Sequence, residues 1–294
     1  MLREILVNGI VLGSIYVLIA AGFNMIFGVL KLMNFAHGEL LMVGTFICFT
    51  FLKIPGLGLT TALFLTLVTA ALGGVLFYYT AYASSQTARK NSDAIAPLLS
   101  SLGISIVLEN VAQKLWGTET YPFPLAVKNV MISFGAFRIS VLQLTIFAVS
   151  FAVAAALYLL IKFSRFGVAV RATSYNRVHA ALSGISVRRT ILCTFAAASA
   201  LAALAGILIG IYYDSVYATM GNGIMVKAFA AAVLGGIGSI PGAMLGGIVL
   251  GLAECLTGAY ISNAYVDGVP FIVVFLVLIF KPNGFFGELV HEKV

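Results

Sequence analysis

The chain of 294 residues is 61% hydrophobic and only 9% charged, with a net charge of +7 from 17 Lys and Arg against 10 Asp and Glu. A soluble domain carries about 25% charged residues, so this composition cannot clothe a water-facing surface and excludes a soluble globular enzyme. The basic excess marks cytoplasmic loops in a membrane chain, so no nucleic-acid partner is expected and lipid is the solvent.

Apolar runs recur from Ile5 to the C-terminus, each near the roughly 20 residues a helix needs to cross a bilayer. Stretches such as Leu142 to Ile161 are continuously apolar, without the alternation of a barrel strand, and only helices then satisfy the backbone in hydrocarbon. The expected fold is all-α: a polytopic transmembrane helix bundle with about 8 membrane segments, forming one domain over 1–294. The predicted spans run Ile5 to Leu30, Phe35 to Leu52, Leu59 to Tyr82, Ala94 to Gln113, Ile139 to Lys162 and Thr190 to Tyr213. Short apolar pieces follow at Ile224 to Ile237 and Gly242 to Leu256, then a last span at Pro270 to Phe280. The start, Met1-Leu2-Arg3-Glu4, superficially resembles a signal peptide, but the run continues to Leu30 with no small-residue cleavage site and reads as a retained helix. Cys48, Cys193 and Cys255 lie inside apolar runs without CxxC spacing and read as packing residues, with neither metal nor disulfide implied.

Orientation follows from the segment Lys162 to Arg189, which holds Lys162, Arg165, Arg171, Arg177, Arg188 and Arg189 and no acid. The positive-inside rule places it in the cytoplasm. Counting back puts Arg89-Lys90 inside, Trp116 to Phe137 outside and the N-terminus outside, provided that Phe35 to Leu52 crosses fully. The C-terminus, with Lys281 and Lys293, falls in the cytoplasm.

Between Ile224 and Leu256 the run is broken by Gly235, Gly236, Gly238, Pro241 and Gly242, so one straight helix is excluded and a pair of short or re-entrant helices is expected. The pairs Gly9 and Gly13, Gly206 and Gly210, Gly242 and Gly246, and Gly247 and Gly251 have the spacing that lets helices approach closely. The pentapeptide Gly-Ile-Val-Leu-Gly occurs at both Gly9 to Gly13 and Gly247 to Gly251, a hint of similar packing environments.

No nucleotide-binding loop, zinc signature or Ser/His/Asp order is present, and titratable groups are too scattered to nominate a catalytic residue or metal ligand. If transport is driven by ATP, the ATPase is another chain. Glu39 after His37, Glu109 beside Asn110, Lys227 and Glu254 sit within or beside spans, where a charge costs about 2.5 to 3.5 kcal/mol and needs a partner or a water-lined face. A structural role, as a salt bridge or a snorkelling side chain, competes with a functional one at each. Lys227 and Glu254 lie on opposite arms of the broken pair, and an ion pair between them is possible but does not follow from spacing. The segment Arg171 to Ser186 reads as a short amphipathic helix ended by Gly184, with Ala172, Val178, Ala181, Leu182 and Ile185 on its apolar side. Docking in a partner's groove and lying on lipid headgroups both account for that pattern.

Ala180-Ala181 followed by Gly184-Ile185 resembles the loop through which membrane subunits of bacterial ABC importers engage their ATPase. Asn34-Phe35-Ala36-His37-Gly38-Glu39, Leu102-Gly103-Ile104-Ser105 with Glu109-Asn110, Lys227-Ala228-Phe229 through Ala243, and Lys281 through Gly287 resemble the LIV-type permease subunit of branched-chain amino-acid ABC importers. The resemblance implies a multi-pass bacterial inner-membrane permease without a catalytic site or cofactor of its own. Its implied partners are a second homologous permease subunit, two ATPase subunits that bind ATP and Mg, and a periplasmic or lipid-anchored solute-binding protein. It makes 163–189 the ATPase-coupling loop, with Arg171, Arg177, His179, Ala180, Ala181, Gly184 and Ile185 as coupling residues. His179 departs from the family pattern, which has a glutamate there, so a salt bridge from that position does not carry over. The expected translocation path takes Asn34, His37, Glu39, Lys227 and Glu254 with a hinge including Gly236 and Gly238. Glu39 or Glu254 would meet a substrate ammonium, and a helix N-terminus its carboxylate. A related permease for urea or another small amide, a stand-alone channel and, more distantly, a membrane enzyme are the competing readings.

Overall fold

The computed structural model describes residues 2–83, 95–125, 130–134 and 137–286; Arg89, Lys90, Gly287 and Lys293, to which roles or sides were assigned above, lie outside them. The helices in chain order are α1 (Leu2–Leu30), α2 (His37–Leu52), α3 (Leu59–Phe77, continued by a π-helical turn over Tyr78–Ala83) and α4 (Ile95–Trp116). A hairpin of β1 (Met131–Phe134) and β2 (Phe137–Ser140) precedes α5 (Val141–Phe163), α6 (Arg165–Tyr175), α7 (Arg177–Leu182) and α8 (Val187–Tyr213). The chain closes with α9 (Met220–Gly235), α10 (Ile240–Tyr260), a 3-10 turn over Asn263–Gly268 and α11 (Val269–Phe280). Among the described residues, seven helices are long and apolar enough to cross a membrane, with α2 and α9 as shorter apolar helices. The polytopic helical fold read from composition is the observed one. The antiparallel hairpin, with Ile132 opposite Ile139, adds a small sheet in the connection before α5.

Three boundaries differ from expectation. The span expected over Phe35 to Leu52 is the 16-residue helix α2, about 24 Å long against a hydrocarbon core of about 30 Å. It starts late because the Asn34 side chain accepts the Ala36 N–H at 3.1 Å and turns the chain there. That turn is enclosed, with Asn34 1% and Ala36 0% exposed, as irregular backbone at membrane depth requires. The arm expected over Gly242 to Leu256 is α10, of 21 residues and full spanning length. Ser239 caps it, accepting the Gly242 N–H at 3.1 Å, and Pro241 occupies its first turn, so the residues that break one helix begin the next. The single amphipathic helix expected over Arg171 to Ser186 is two helices, α6 and α7. Asn176 adopts an extended conformation between them, and its side chain accepts the N–H groups of Val178 (2.9 Å) and His179 (3.0 Å).

The chain divides into two compact units, each assembled from non-contiguous segments. The first comprises Met1–Asn24, Lys128–Tyr158 and Val226–Val294. In it the two Gly-Ile-Val-Leu-Gly pentapeptides pack on each other, α1 against α10. A Cβ on Gly9 would lie 2.9 Å from the Leu252 Cα, and one on Gly13 would lie 2.8 Å from the Ile248 Cα. Backbones approach this closely only where side chains are absent. α9 and α10 meet as tightly, Gly235 on Gly242 and Gly246 on Ala231. The chain after α11 returns to this corner, where the Phe285 and Phe286 N–H groups donate to the carbonyls of Leu234 (3.0 Å) and Gly235 (2.9 Å). Those are end-of-helix carbonyls of α9, which would otherwise lack partners.

The second unit comprises Met25–Val127 and Leu159–Met225. Here α2, α3 and α8 pack together, with Gly206 of α8 against Leu41 and Thr45 of α2. Phe195 is surrounded by Tyr82, Tyr78 and Phe77 at ring-centre distances of 5.1, 5.5 and 6.1 Å. Trp116 stacks on Phe46 at 4.9 Å and donates to the Thr50 hydroxyl at 2.9 Å. Cys48 is buried as a packing residue, whereas Cys193 is exposed on an outward face of α8.

Candidate functional site

The basic loop presents an exposed apolar tip. α7 ends in a Schellman arrangement, with the Ile185 N–H donating to the Ala180 carbonyl and the Gly184 N–H to that of Ala181, both at 3.0 Å. Gly184 stands at φ +80, a conformation that costs a residue with a Cβ. Ala180 is buried beneath the helix, while Tyr175, Val178 and Leu182 are 93%, 67% and 80% exposed; Ala181 and His179 are exposed beside them. The two arginines nominated as coupling residues, Arg171 and Arg177, are engaged within the chain. Arg177 donates to the carbonyls of Val29 (3.4 Å) and Leu30 (3.1 Å) at the end of α1. Arg171 donates to Ile161 and, at 3.3 Å, to Lys162 at the end of α5. A cation at a helix C-terminus meets both unpaired carbonyls and the negative end of the dipole, so these side chains staple the loop to two membrane helices. Around α7 the loop leaves Tyr175, Val178, Ala181 and Leu182 outward, flanked by the exposed Arg165, Arg188 and Arg189.

In the first unit, Lys227 and Glu254 do form an ion pair, Nζ to Oε2 at 3.2 Å. The Tyr16 hydroxyl donates to the same Oε2 at 2.7 Å, and Asp267 Oδ1 lies 3.4 Å from Nζ. Oε1 of Glu254 has no hydrogen-bond partner among the described residues. Glu254, 1% exposed, thus has its charge balanced inside its own unit, as a buried carboxylate needs. Gly236 and Gly238 sit in a corner held on several sides. The Asn24 amide donates to the Ser239 carbonyl (2.9 Å) and, at 3.5 Å, to that of Gly236, and its oxygen accepts the Gly238 N–H (3.1 Å). The returning tail bonds the end of α9 beside it. Asn24, an amide far inside an apolar helix, is the signal in the sequence that could have found this clamp.

In the second unit, Asn34, His37 and Glu39 come together at the start of α2, 1%, 0% and 1% exposed. Asn34 Nδ2 has no hydrogen-bond partner among the described residues, and neither does either carboxylate oxygen of Glu39. Glu39 presses on the first turn of α9: a Cβ on Gly221 would fall 2.7 Å from its Oε2. Gly38 packs against the Gly221 carbonyl in the same contact. Glu109 of α4 reaches that turn as well, accepting from the Asn222 amide at 2.7 Å and from Gln113 at 3.2 Å. Asn222 and Gly221 were not nominated from the sequence, because a loop-to-helix start after Thr219 carries no polar signature of its own. Of the expected path residues, Asn34, His37 and Glu39 belong to the second unit and Lys227, Glu254, Gly236 and Gly238 to the first.

Residues 5–278 match the protein family described as branched-chain amino acid transport system / permease component. The chain is 39% identical over 298 residues to the high-affinity branched-chain amino acid transport system permease protein LivH of Salmonella typhimurium, covering 98% of this chain and 96% of that protein. It is 38% identical to the LivH of Escherichia coli strain K12, again over 98% of this chain and 96% of the relative. It is 37% identical over 302 residues to the permease protein BraD of Pseudomonas aeruginosa, covering 98% and 97%.

Proposed function

The chain belongs to the family of branched-chain amino acid transport system permease components, and from this premise we propose that it carries leucine, isoleucine or valine across the bacterial inner membrane as the multi-pass permease subunit of an ATP-driven ABC importer. The observation that carries the reading is similarity to high-affinity branched-chain permeases across 98% of the chain. Its transport partners are a second, homologous permease, two ATPase subunits that hold ATP and Mg, and a periplasmic or lipid-anchored solute-binding protein. Hydrolysis takes place on the ATPase subunits.

The loop of α6 and α7 serves as the coupling element. Tyr175, Val178, Ala181 and Leu182 supply an apolar knob for a groove in the ATPase. Arg171 and Arg177, bonded to the ends of α5 and α1, transmit its displacement as a rigid-body movement, the form of motion that packed helices support. The exposure of that knob and the internal use of both arginines support this division of roles. The path is supported by the buried polar groups at the start of α2 and by the Lys227–Glu254 pair.

Reconstitution of this chain with all of these partners in proteoliposomes tests the reading. ATP-dependent accumulation of leucine that requires the binding protein is the expected outcome. Uptake of urea or another small amide with no uptake of leucine would overturn the substrate, and ATP-independent flux through this chain alone would overturn the machine.

A further inference from the structure

Lys31, the residue after the last turn of α1, stands at φ +56, a left-handed conformation that glycine or asparagine adopts more readily than a long side chain. Its N–H donates to the Phe27 carbonyl at 2.7 Å. The three carbonyls that follow are bonded from the loop of α6 and α7. Gly28 accepts from the Ser174 hydroxyl, and Val29 and Leu30 accept from Arg177 at 3.4 and 3.1 Å. The negative end of α1, which would otherwise attract the lysine ammonium and repel an anion, is thus already capped. Lys31 is exposed and forms no ion pair among the described residues. Between this end of α1 and the junction of α6 with α7, wholly inside the second unit, is a cavity of about 310 Å³, the size of a small-ligand site. Lys31 and Arg177 line it together with Val29, Leu30 and Leu32, and no acid does. Thr173, in the same wall, is 1% exposed, and its hydroxyl has no hydrogen-bond partner among the described residues, although buried hydroxyls are nearly always bonded.

We propose that this cavity is a binding site for a phosphate ester, held by the charges of Lys31 and Arg177 with the Thr173 hydroxyl as a further donor, and that its occupant is the phosphodiester of an anionic membrane lipid. Two cations without an acid repel a metal ion, and carbonyls already bonded leave no cage of oxygens to hold one. Arg177 keeps its charge while its Nη2 is engaged by the end of α1, so it supplies field at the site, and the Lys31 ammonium supplies the direct contact. A lipid is favoured over a free phosphate because the wall combines cations with apolar residues at the end of a membrane-spanning helix, the depth at which the phosphodiester and first carbons of a lipid lie. The positive-inside rule puts that end at the cytoplasmic face, where basic pockets between helices gather anionic head groups. The residues that form the site also tie α1 to the loop of α6 and α7, so a lipid seated there braces that loop against the membrane helix.

The test uses the full-length chain purified in detergent with its co-purifying subunits, and native mass spectrometry reads the lipid retained. The probes are dioleoylphosphatidylglycerol, dioleoylphosphatidylcholine, whose head group adds a cation, and inorganic phosphate. Wild type is expected to hold phosphatidylglycerol in preference to phosphatidylcholine. Lys31→Gly removes the ammonium and relieves the φ of +56, so it is expected to be at least as stable as wild type in thermal unfolding, yet to bind phosphatidylglycerol about fivefold more weakly with phosphatidylcholine unchanged. Lys31→Arg should bind as wild type does. Thr173→Val, which keeps the shape of the side chain, is expected to weaken binding by about threefold or more, and Arg189→Gln, a charge removed elsewhere on the loop, to leave it unchanged. Phosphatidylglycerol held by Lys31→Gly or by Thr173→Val as tightly as by wild type would overturn the site, and an equal loss in Arg189→Gln would reduce it to general surface charge. Displacement of the lipid by millimolar inorganic phosphate would overturn the lipid as occupant. A wild-type complex that retains phosphatidylglycerol no better than phosphatidylcholine would overturn the proposal and leave the cavity to an acidic side chain of a partner subunit.

Discussion

At the scale of single residues, the chain distinguishes charges that are balanced from one that is not. Lys227 and Glu254 were visible in the sequence as two charges in an apolar region, but their pairing depends on how α9 folds back on α10. Because a buried pair costs most when one member is left alone, Lys227→Met is expected to destabilise the detergent-purified transporter by about 3 kcal/mol. Lys227→Met combined with Glu254→Gln should recover most of that loss in the same thermal unfolding measurement; equal losses in the single and double variants would show that the pair is not the cause. Glu39 has the opposite character: neither of its carboxylate oxygens has a hydrogen-bond partner among the described residues.

At the scale of elements, two short connections carry most of the consequence. The α9–α10 corner was recognisable from Gly235 to Gly242, and glycine with proline correctly announced a break. The groups that bond that break come from distant parts of the chain. Asn24 comes from α1 and Phe285 and Phe286 from beyond α11. Removing the amide in Asn24→Ala leaves the Gly238 N–H without its acceptor, while the Gly236 and Ser239 carbonyls still accept from the Ser239 and Ala243 N–H groups, so a loss of about 1 kcal/mol in stability is expected. A transporter as stable as wild type after that change would mean that the tail alone suffices as the clamp. The coupling loop makes a complementary case. Charged replacements Ala181→Glu and Gly184→Glu are expected to abolish co-purification of the ATPase subunits and cut uptake by at least about tenfold, since they place charge in an apolar contact and strain a φ of +80. Retention of both assembly and uptake would remove the coupling role.

At the scale of the whole molecule, orientation rests on the positive charge of the loop that includes α6 and α7. The scheme puts the start of α1 and that loop on opposite faces of the membrane. Single cysteines at Arg3 and at Val178, the latter 67% exposed, are expected to react with an impermeant maleimide from the outer and the inner side respectively. Labelling of both from one side would reverse the assignment of α1 or α2. α2 is the weak step in that count, because its 16 residues fall short of a full span.

Composition and periodicity by themselves determined that this is a membrane-embedded bundle of helices, which loop is basic, where glycine and proline interrupt the spans and which ionisable groups lie at depth. Those properties are local, since the cost of placing a residue in hydrocarbon depends on its own chemistry and its near neighbours along the chain. Tertiary structure alone decided that the repeated Gly-Ile-Val-Leu-Gly segments face each other, that Arg171 and Arg177 cap two helices rather than point outward, and that Glu254 is neutralised while Glu39 is left against the first turn of α9. Each of those outcomes turns on contacts between residues far apart in the chain, and no spacing within one segment encodes the partner that another segment will bring.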